Sequence, residues 1–201
     1  MGNSRSMPKQ VIFPLHGIRS TGAWYGELSD GLGDDFLLRQ SKWSYGKFSA
    51  IEFLFPCLRR GKVKWFSKTY HDEISRADVG KELNTPINGQ ANLPSVIAHS
   101  FGTYILGYAL LHDDTIKLDK ALLCGSILPE NFPWNDIIER GQVREVKNEQ
   151  AQKDLPVSVV QYFVRGAGPS GINGFIADLV QKEIYPSYAH SDFFTESHIR
   201  D

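Results

Sequence analysis

Cysteine is scarce: Cys57 and Cys124 are two in 201 residues and lie far apart, which leaves no disulfide framework to read. Free thiols in a reducing compartment are the simpler expectation. No apolar run approaches the roughly 20 residues of a membrane-spanning helix. The N-terminal stretch lacks the apolar core of a secretory signal, so the expected location is cytoplasmic, without stable membrane insertion. Neither sign of charge is in excess: 22 Lys and Arg meet 23 Asp and Glu, and a net charge of −1 supplies no field for nucleic acid. Internal repeats, low-complexity segments and linkers are missing too. Zinc-type Cys/His spacing is absent. The glycine-rich RGAGPSGINGF at 165–175 lacks the lysine of a Walker loop and reads instead as a mobile loop near a site. Nothing in the sequence requires a cofactor or a metal.

What is present suits a soluble globular chain, with 41% hydrophobic and 22% charged residues. One domain over 1–201 is expected, residues 1–9 being flexible. The opening MGNSRS has the Gly2 and Ser6 spacing of an N-myristoylation motif, a pattern short enough to arise by chance, and Met7 offers a second start.

Short apolar runs recur, several followed by a helical pattern. Val11–Leu15 precedes the loop HGIRSTGAW and a helix around Tyr25–Leu32, and a weaker extended stretch leads to Trp43. Ser95–Ala98 precedes a helix from Phe101 to His112, with Ile105, Leu106, Ala109 and Leu110 at helical spacing. Lys120–Cys124 is the next strand, and Pro133 opens a helix through Ile137 and Ile138. Gln142–Val146 and Gln181–Tyr185 complete the strands. Such alternation predicts an α/β architecture, a mostly parallel sheet with helices on both faces. Function in such sheets gathers beyond the carboxyl ends of the strands.

Ala98-His99-Ser100-Phe101-Gly102 stands at such an end, between a strand and a helix. Small residues two before and two after the serine allow the two backbones to approach closely. Here the chain resembles the α/β-hydrolase family, whose nucleophile elbow reads G-x-S-x-G. Ala98 replaces the first glycine, a difference of one methyl. Without an elbow, Ser100 would be an ordinary helix N-cap.

The resemblance implies the other roles. His16-Gly17 after the first strand matches the loop that supplies one oxyanion-hole amide, which falls to Ile18, with the Phe101 amide as the second. The imidazole of His16 is expected to bond neighbouring loop backbone. His99 adjoins the nucleophile and should point elsewhere, which leaves His190 and His198 late in the chain. The family places its catalytic histidine after the final strand, where His190 stands in YPSYAHSDFF. Its acid follows the penultimate strand, where Asp154 ends VREVKNEQAQKD, and Asn148 would brace that loop. Asp136 is the rival acid, with Asp178 and Asp192 weaker ones, and Asp154 could instead cap a following helix. The sheet would be trimmed at the N-terminus and carry no large cap domain.

These parts imply hydrolysis of a small-molecule or lipid ester, or a thioester, with acyl transfer open to the same machinery. A hydrolase fold kept as a non-catalytic binding module is the alternative. The basic-aromatic FLFPCLRRGKVKWFSK at 53–68 reads either as a lid touching anionic lipid or as a solvated connection whose long basic side chains cover apolar surface. As a lid, its Phe53, Leu54, Phe55, Trp65 and Phe66 would wall an acyl pocket while its cations face outward. Oligomeric state is not encoded legibly.

Overall fold

Val11, Ile12, Phe13 and Leu15 form a nearly unbroken apolar run, which suits a parallel strand covered on both faces. In the computed structural model, which describes residues 7–17, 24–39, 50–154, 164, 166–190 and 192–199, this run is β1 (Gln10–Leu15). It lies between β2 (Phe36–Leu38) and β3 (Ser95–His99), and β4 (Leu118–Cys124), β5 (Val143–Ala151) and β6 (Val180–Tyr185) follow. The sheet runs β2-β1-β3-β4-β5-β6, and every neighbouring pair is parallel. Register is continuous at the functional end: Leu15 pairs with Ala98, His99 with Cys124, and Cys124 with Glu149.

Alternation along the strands divides two cores. Phe13, Val96, Ala98, Leu123 and Val146 face the larger one, shared with α3 (Pro56–Ile74), α5 (Phe101–His112) and α6 (Trp134–Glu139). Ile97, Leu122, Cys124 and Ala151 face the smaller one, closed by Tyr25 and Leu28 of α1 (Trp24–Leu32) and by Phe193 and Phe194. The short helices α2 (Ala50–Leu54) and α4 (Ala77–Leu83) flank α3. The last turns are a 3-10 segment Asp192–Phe194 and the helix Glu196–Ile199. No helix among the described residues is long and apolar enough to cross a membrane.

Three elements depart from the sequence expectation. The basic-aromatic stretch is helical rather than a loop: it lies in α3 and the end of α2, with Val63, Phe66 and Tyr70 buried at helical spacing. Its cations do not all face outward, because Arg59 is buried as well. Phe66 is core, while Leu54 and Phe55 are exposed. Second, β5 continues through Ala151 where polar residues suggested a loop. Lys147–Asn148–Glu149 pairs on both sides, with β4 and β6. Third, residues 168–171 are tied to the segment after β4: Gly168 N–H donates to Ile127 O at 2.9 Å and Gly171 N–H to Ser126 O at 2.7 Å. The stretch leading to Trp43 gives β2, while Trp43 itself lies outside the described residues.

α5 is apolar all round and correspondingly buried on nearly all sides. Its carboxyl end is finished from a distance: Gln142 Nε2 donates to Leu110 O at 2.9 Å and to Asp113 O at 3.0 Å. Gln142→Ala would leave Leu110 O unanswered in a buried site, at about 1–3 kcal/mol, while Asp113 O keeps the Ile116 amide at 3.4 Å. Urea denaturation should show a lower midpoint with an unchanged slope.

Candidate active site

Ser100 joins β3 to α5 at φ 54 and ψ −121. Asn88 is the only other described non-glycine residue with positive φ, and it sits in a turn, where asparagine is tolerated. A serine held this way costs of order 1–3 kcal/mol and persists only where its surroundings dictate it. They do so here. Ser100 N–H donates to Cys124 O at 3.0 Å, and Ser100 O accepts from Thr103 N–H at 3.0 Å and Thr103 Oγ1 at 2.6 Å. Gly102 is obligatory, because a Cβ there would lie 2.3 Å from Leu15 O. Ser100 holds the N-cap position of α5, yet its side chain makes no capping bond.

Across the strand ends, His190 Nδ1–H donates to Asp154 Oδ2 at 2.6 Å. Asp154 follows β5 and is buried, whereas His190 follows β6 and is partly exposed. Gly125, the residue after β4, lies against this pair. Its φ is +55, and a Cβ on it would sit 3.1 Å from Asp154 Oδ2 and 3.3 Å from His190 Nδ1. Gly17 presses on the serine, where a Cβ would lie 2.8 Å from Ser100 Cβ. The ends of β1, β3, β4, β5 and β6 thus contribute to one locus. Among the described residues no hydrogen bond joins Ser100 Oγ to His190.

His99, set aside by sequence reasoning, belongs to the site. Strand alternation sends its ring to the smaller core, where Nε2–H donates to His190 O at 2.7 Å. The ring lies 4.6 Å from that of His190 and edge-on to Phe194. Burial first, and then the neighbouring His190, push the His99 imidazole down to about 3. Neutral His99 can donate from Nε2 only if Nδ1 is bare, and Nδ1 is buried without a partner among the described residues. Neither His99 nor Gly125 carries a motif; only the ladder register brings them here.

The remaining sequence candidates separate cleanly. Ile18 lies outside the described residues, as do Gly2 and Ser6, while Phe101 opens α5 next to the serine. His16 Nδ1–H donates to Gly17 O at 2.7 Å, as expected of that imidazole. Asp136 is exposed on α6, Asp178 bonds Asn135, and Asp192 accepts from Ala189 N–H. None of the three hydrogen-bonds His190 among the described residues. Asn148 braces a different segment from the one expected: its Nδ2 donates to Ser170 O at 2.9 Å. His198 Nε2 is bound to buried Glu149 at 3.0 Å, with Cys124 Sγ on the same carboxylate oxygen at 3.6 Å.

An all-parallel sheet flanked by helices, with an elbow serine at the end of its third strand, is the α/β-hydrolase fold. The TT1662 protein of Thermus thermophilus superposes with a TM-score of 0.60 at 11% identity, over 97% of this chain and 86% of that one. A lipase-esterase related protein from Clostridium acetobutylicum gives 0.56 at 13%, over 98% and 92%. The lin2722 product of Listeria innocua gives 0.55 at 14%, over 95% and 91%. At such identities the likeness defines the fold. No family model and no curated protein matches the chain in sequence.

The buried His99 fixes a sign for stability against pH. Unfolded, it takes a proton at its ordinary 6.5; folded, it stays neutral to about 3. The unfolded state therefore binds more protons between those values, and stability falls as pH drops through that window. His16, also lowered by burial, acts in the same direction. Melting temperature should decline from pH 7 to pH 5, above the range where carboxylates titrate. His99→Gln, which retains a donor for His190 O, should flatten that decline, and an unchanged slope would refute the assignment.

Proposed function

We propose that this chain is a serine hydrolase that cleaves a carboxylic ester or thioester through an acyl-enzyme. The observation that carries the reading is the strained Ser100 backbone at φ 54, beside a buried carboxylate that orients a histidine at 2.6 Å. Evolution has little reason to retain such strain in a mere packing residue. Ser100 Oγ attacks the acyl carbonyl while His190 Nε2 takes its proton, leaving an imidazolium stabilised by Asp154 through Nδ1–H. The amides of Phe101 and Ile18 receive the developing oxyanion, each such donor being worth about 3–4 kcal/mol in the transition state. Collapse expels the alcohol or thiol, which leaves with the proton from His190. Water, deprotonated by His190, then releases the acid and restores the serine. His99 acts at one remove, fixing the His190 backbone so that the ring turns its outer nitrogen toward the elbow.

The missing Ser100–His190 hydrogen bond is what favours the second reading, a non-catalytic module. Such bonds are often long before substrate arrives and tighten in the reacting complex, so the hydrolase reading stands first.

A fluorophosphonate probe should modify Ser100 and no other serine, and Ser100→Ala should abolish labelling in a folded protein. Turnover should vanish in His190→Ala yet largely survive in His198→Asn, whose imidazole is committed to Glu149. Asp154→Asn should lower kcat by about 10⁴ by favouring the wrong tautomer, with Asp136→Asn near wild type. Labelling at a different serine would overturn the mechanism.

A further inference from the structure

A second, positively charged cleft lies away from the elbow. It has a volume of about 1100 Å³ and runs between α3 and α5, with Arg59, Arg60 and Lys64 on one wall and Tyr104, Tyr108 and His112 on the other. Neither Ser100 nor His190 lines it. The only carboxylate among its described lining residues is Asp113, already engaged by His71 at 3.0 Å and by the Thr115 hydroxyl at 2.5 Å.

Arg59 is the anomaly. It is 5% exposed, and no described carboxylate comes within ion-pair distance of it. Its Nη1 donates to Phe53 O at 2.6 Å and Leu54 O at 3.2 Å, finishing the carboxyl end of α2. Its guanidinium carbon lies 5.6 Å from the Phe53 ring and 5.8 Å from the Tyr104 ring. Nε is buried and, like Nη2, has no protein partner among the described residues. Carbonyls and ring faces offset part of the cost of burying a cation, but a buried charge ordinarily has a counter-charge. Among the described residues none pairs with Arg59.

We propose that the cleft binds a phosphate ester, whose anion supplies that counter-charge. Arg59, Arg60 and Lys64 approach from one helix and His112 from the other, an arrangement fitted to an anion with several oxygens and more than one charge. The Tyr104 hydroxyl, which bonds no described residue, offers a further donor from the α5 side. Arginine beside lysine is also the pairing that phosphate favours over a lone carboxylate. Where Pro56 lines the cleft, the same chain turn carries Leu54, Phe55 and Leu58, 46%, 53% and 41% exposed. An apolar rim beside a basic wall accommodates a lipid phosphate as readily as a soluble one, and the two sources separate by experiment.

Glycerol 3-phosphate should be titrated into the full chain by calorimetry, and vesicles of phosphatidic acid in phosphatidylcholine should be tested by cosedimentation. Binding of at least one should be saturable and weaken as salt rises. Arg60→Glu with Lys64→Glu, both exposed and without a hydrogen bond or ion pair among the described residues, should weaken it at least tenfold at an unchanged melting temperature. Arg59→Gln should do the same, but it also releases α2, so the exposed pair decides. If Leu54→Ser with Phe55→Ser impairs only vesicle binding, the lipid is the source; binding of glycerol 3-phosphate alone identifies a soluble ester. Ser100→Ala should bind as wild type, which keeps this result separate from the hydrolase reading. Failure of both probes to bind, or equal binding by the charge-reversed variant, would overturn the proposal.

Discussion

A backbone carbonyl fills the space that a side chain at residue 102 would need, and the geometry of the site rests on that contact. With Gly102 beneath Leu15 O, the first turn of α5 lies against the end of β1. The chain can then leave β3 abruptly, and Ser100 takes up its positive φ at the turn. The strain is distributed into ordinary bonds: the serine amide is held by Cys124 O, one strand across, and its carbonyl by Thr103. Thr103 in turn accepts from Ile127 N–H through its hydroxyl at 3.1 Å, so α5 is tied to the loop after β4. A parallel sheet makes this economical, because all its strands deliver their carboxyl ends to the same edge.

The polar groups at that edge are sorted by face. His99, Cys124 and Glu149 lie in register on neighbouring strands and point to the smaller core. There His99 meets the His190 loop and Glu149 meets His198, so two successive histidine contacts fasten the carboxyl-terminal segment to the sheet. Burial, and then Glu149, raise the Cys124 thiol well above its usual range, which leaves it protonated and unreactive. The segment carrying His190 packs on the smaller core through Tyr188, Phe193, Phe194 and Ile199 as well. Its position therefore depends both on these polar contacts and on packing, and removing one partner would leave a buried group unanswered.

The opposite face is organised around α3. Its buried stripe begins at Arg59 and ends at Glu73, with Val63, Phe66 and Tyr70 between them. Glu73 finds Arg39 at 3.2 Å, so the acidic end of the stripe is paired, whereas the basic end has no carboxylate partner among the described residues. That asymmetry, rather than the number of basic residues, distinguishes the cleft from a solvated helix face. Tyr104 and Tyr108 belong to the helix that opens at Ser100, so the cleft and the elbow share one rigid element without sharing residues.

Local sequence was sufficient for the elbow. A short apolar strand, a serine and a glycine two residues later describe a turn whose sterics are set within five residues, and the α5 boundaries Phe101–His112 follow from the same stretch. The pairing of Asp154 with His190 was legible only through family resemblance, since 36 residues separate them and either could have served as a cap. Elsewhere the pattern misled. Lys147–Asn148–Glu149 is polar enough to suggest a loop, yet strands on both sides absorb its backbone, and Ser170, His198 and Cys124 absorb its side chains. The 3–4 spacing of Val63, Phe66 and Tyr70 was available in α3 but was obscured by interleaved basic residues. The sequence by itself determined the order of elements and the strained serine, because both depend on neighbours along the chain. Tertiary structure alone decided that Asp136 stays exposed, that His99 braces His190 and that Arg59 is buried without a counter-charge among the described residues. Each of those outcomes depends on which strand or helix lies alongside, and spacing along one chain does not carry that information.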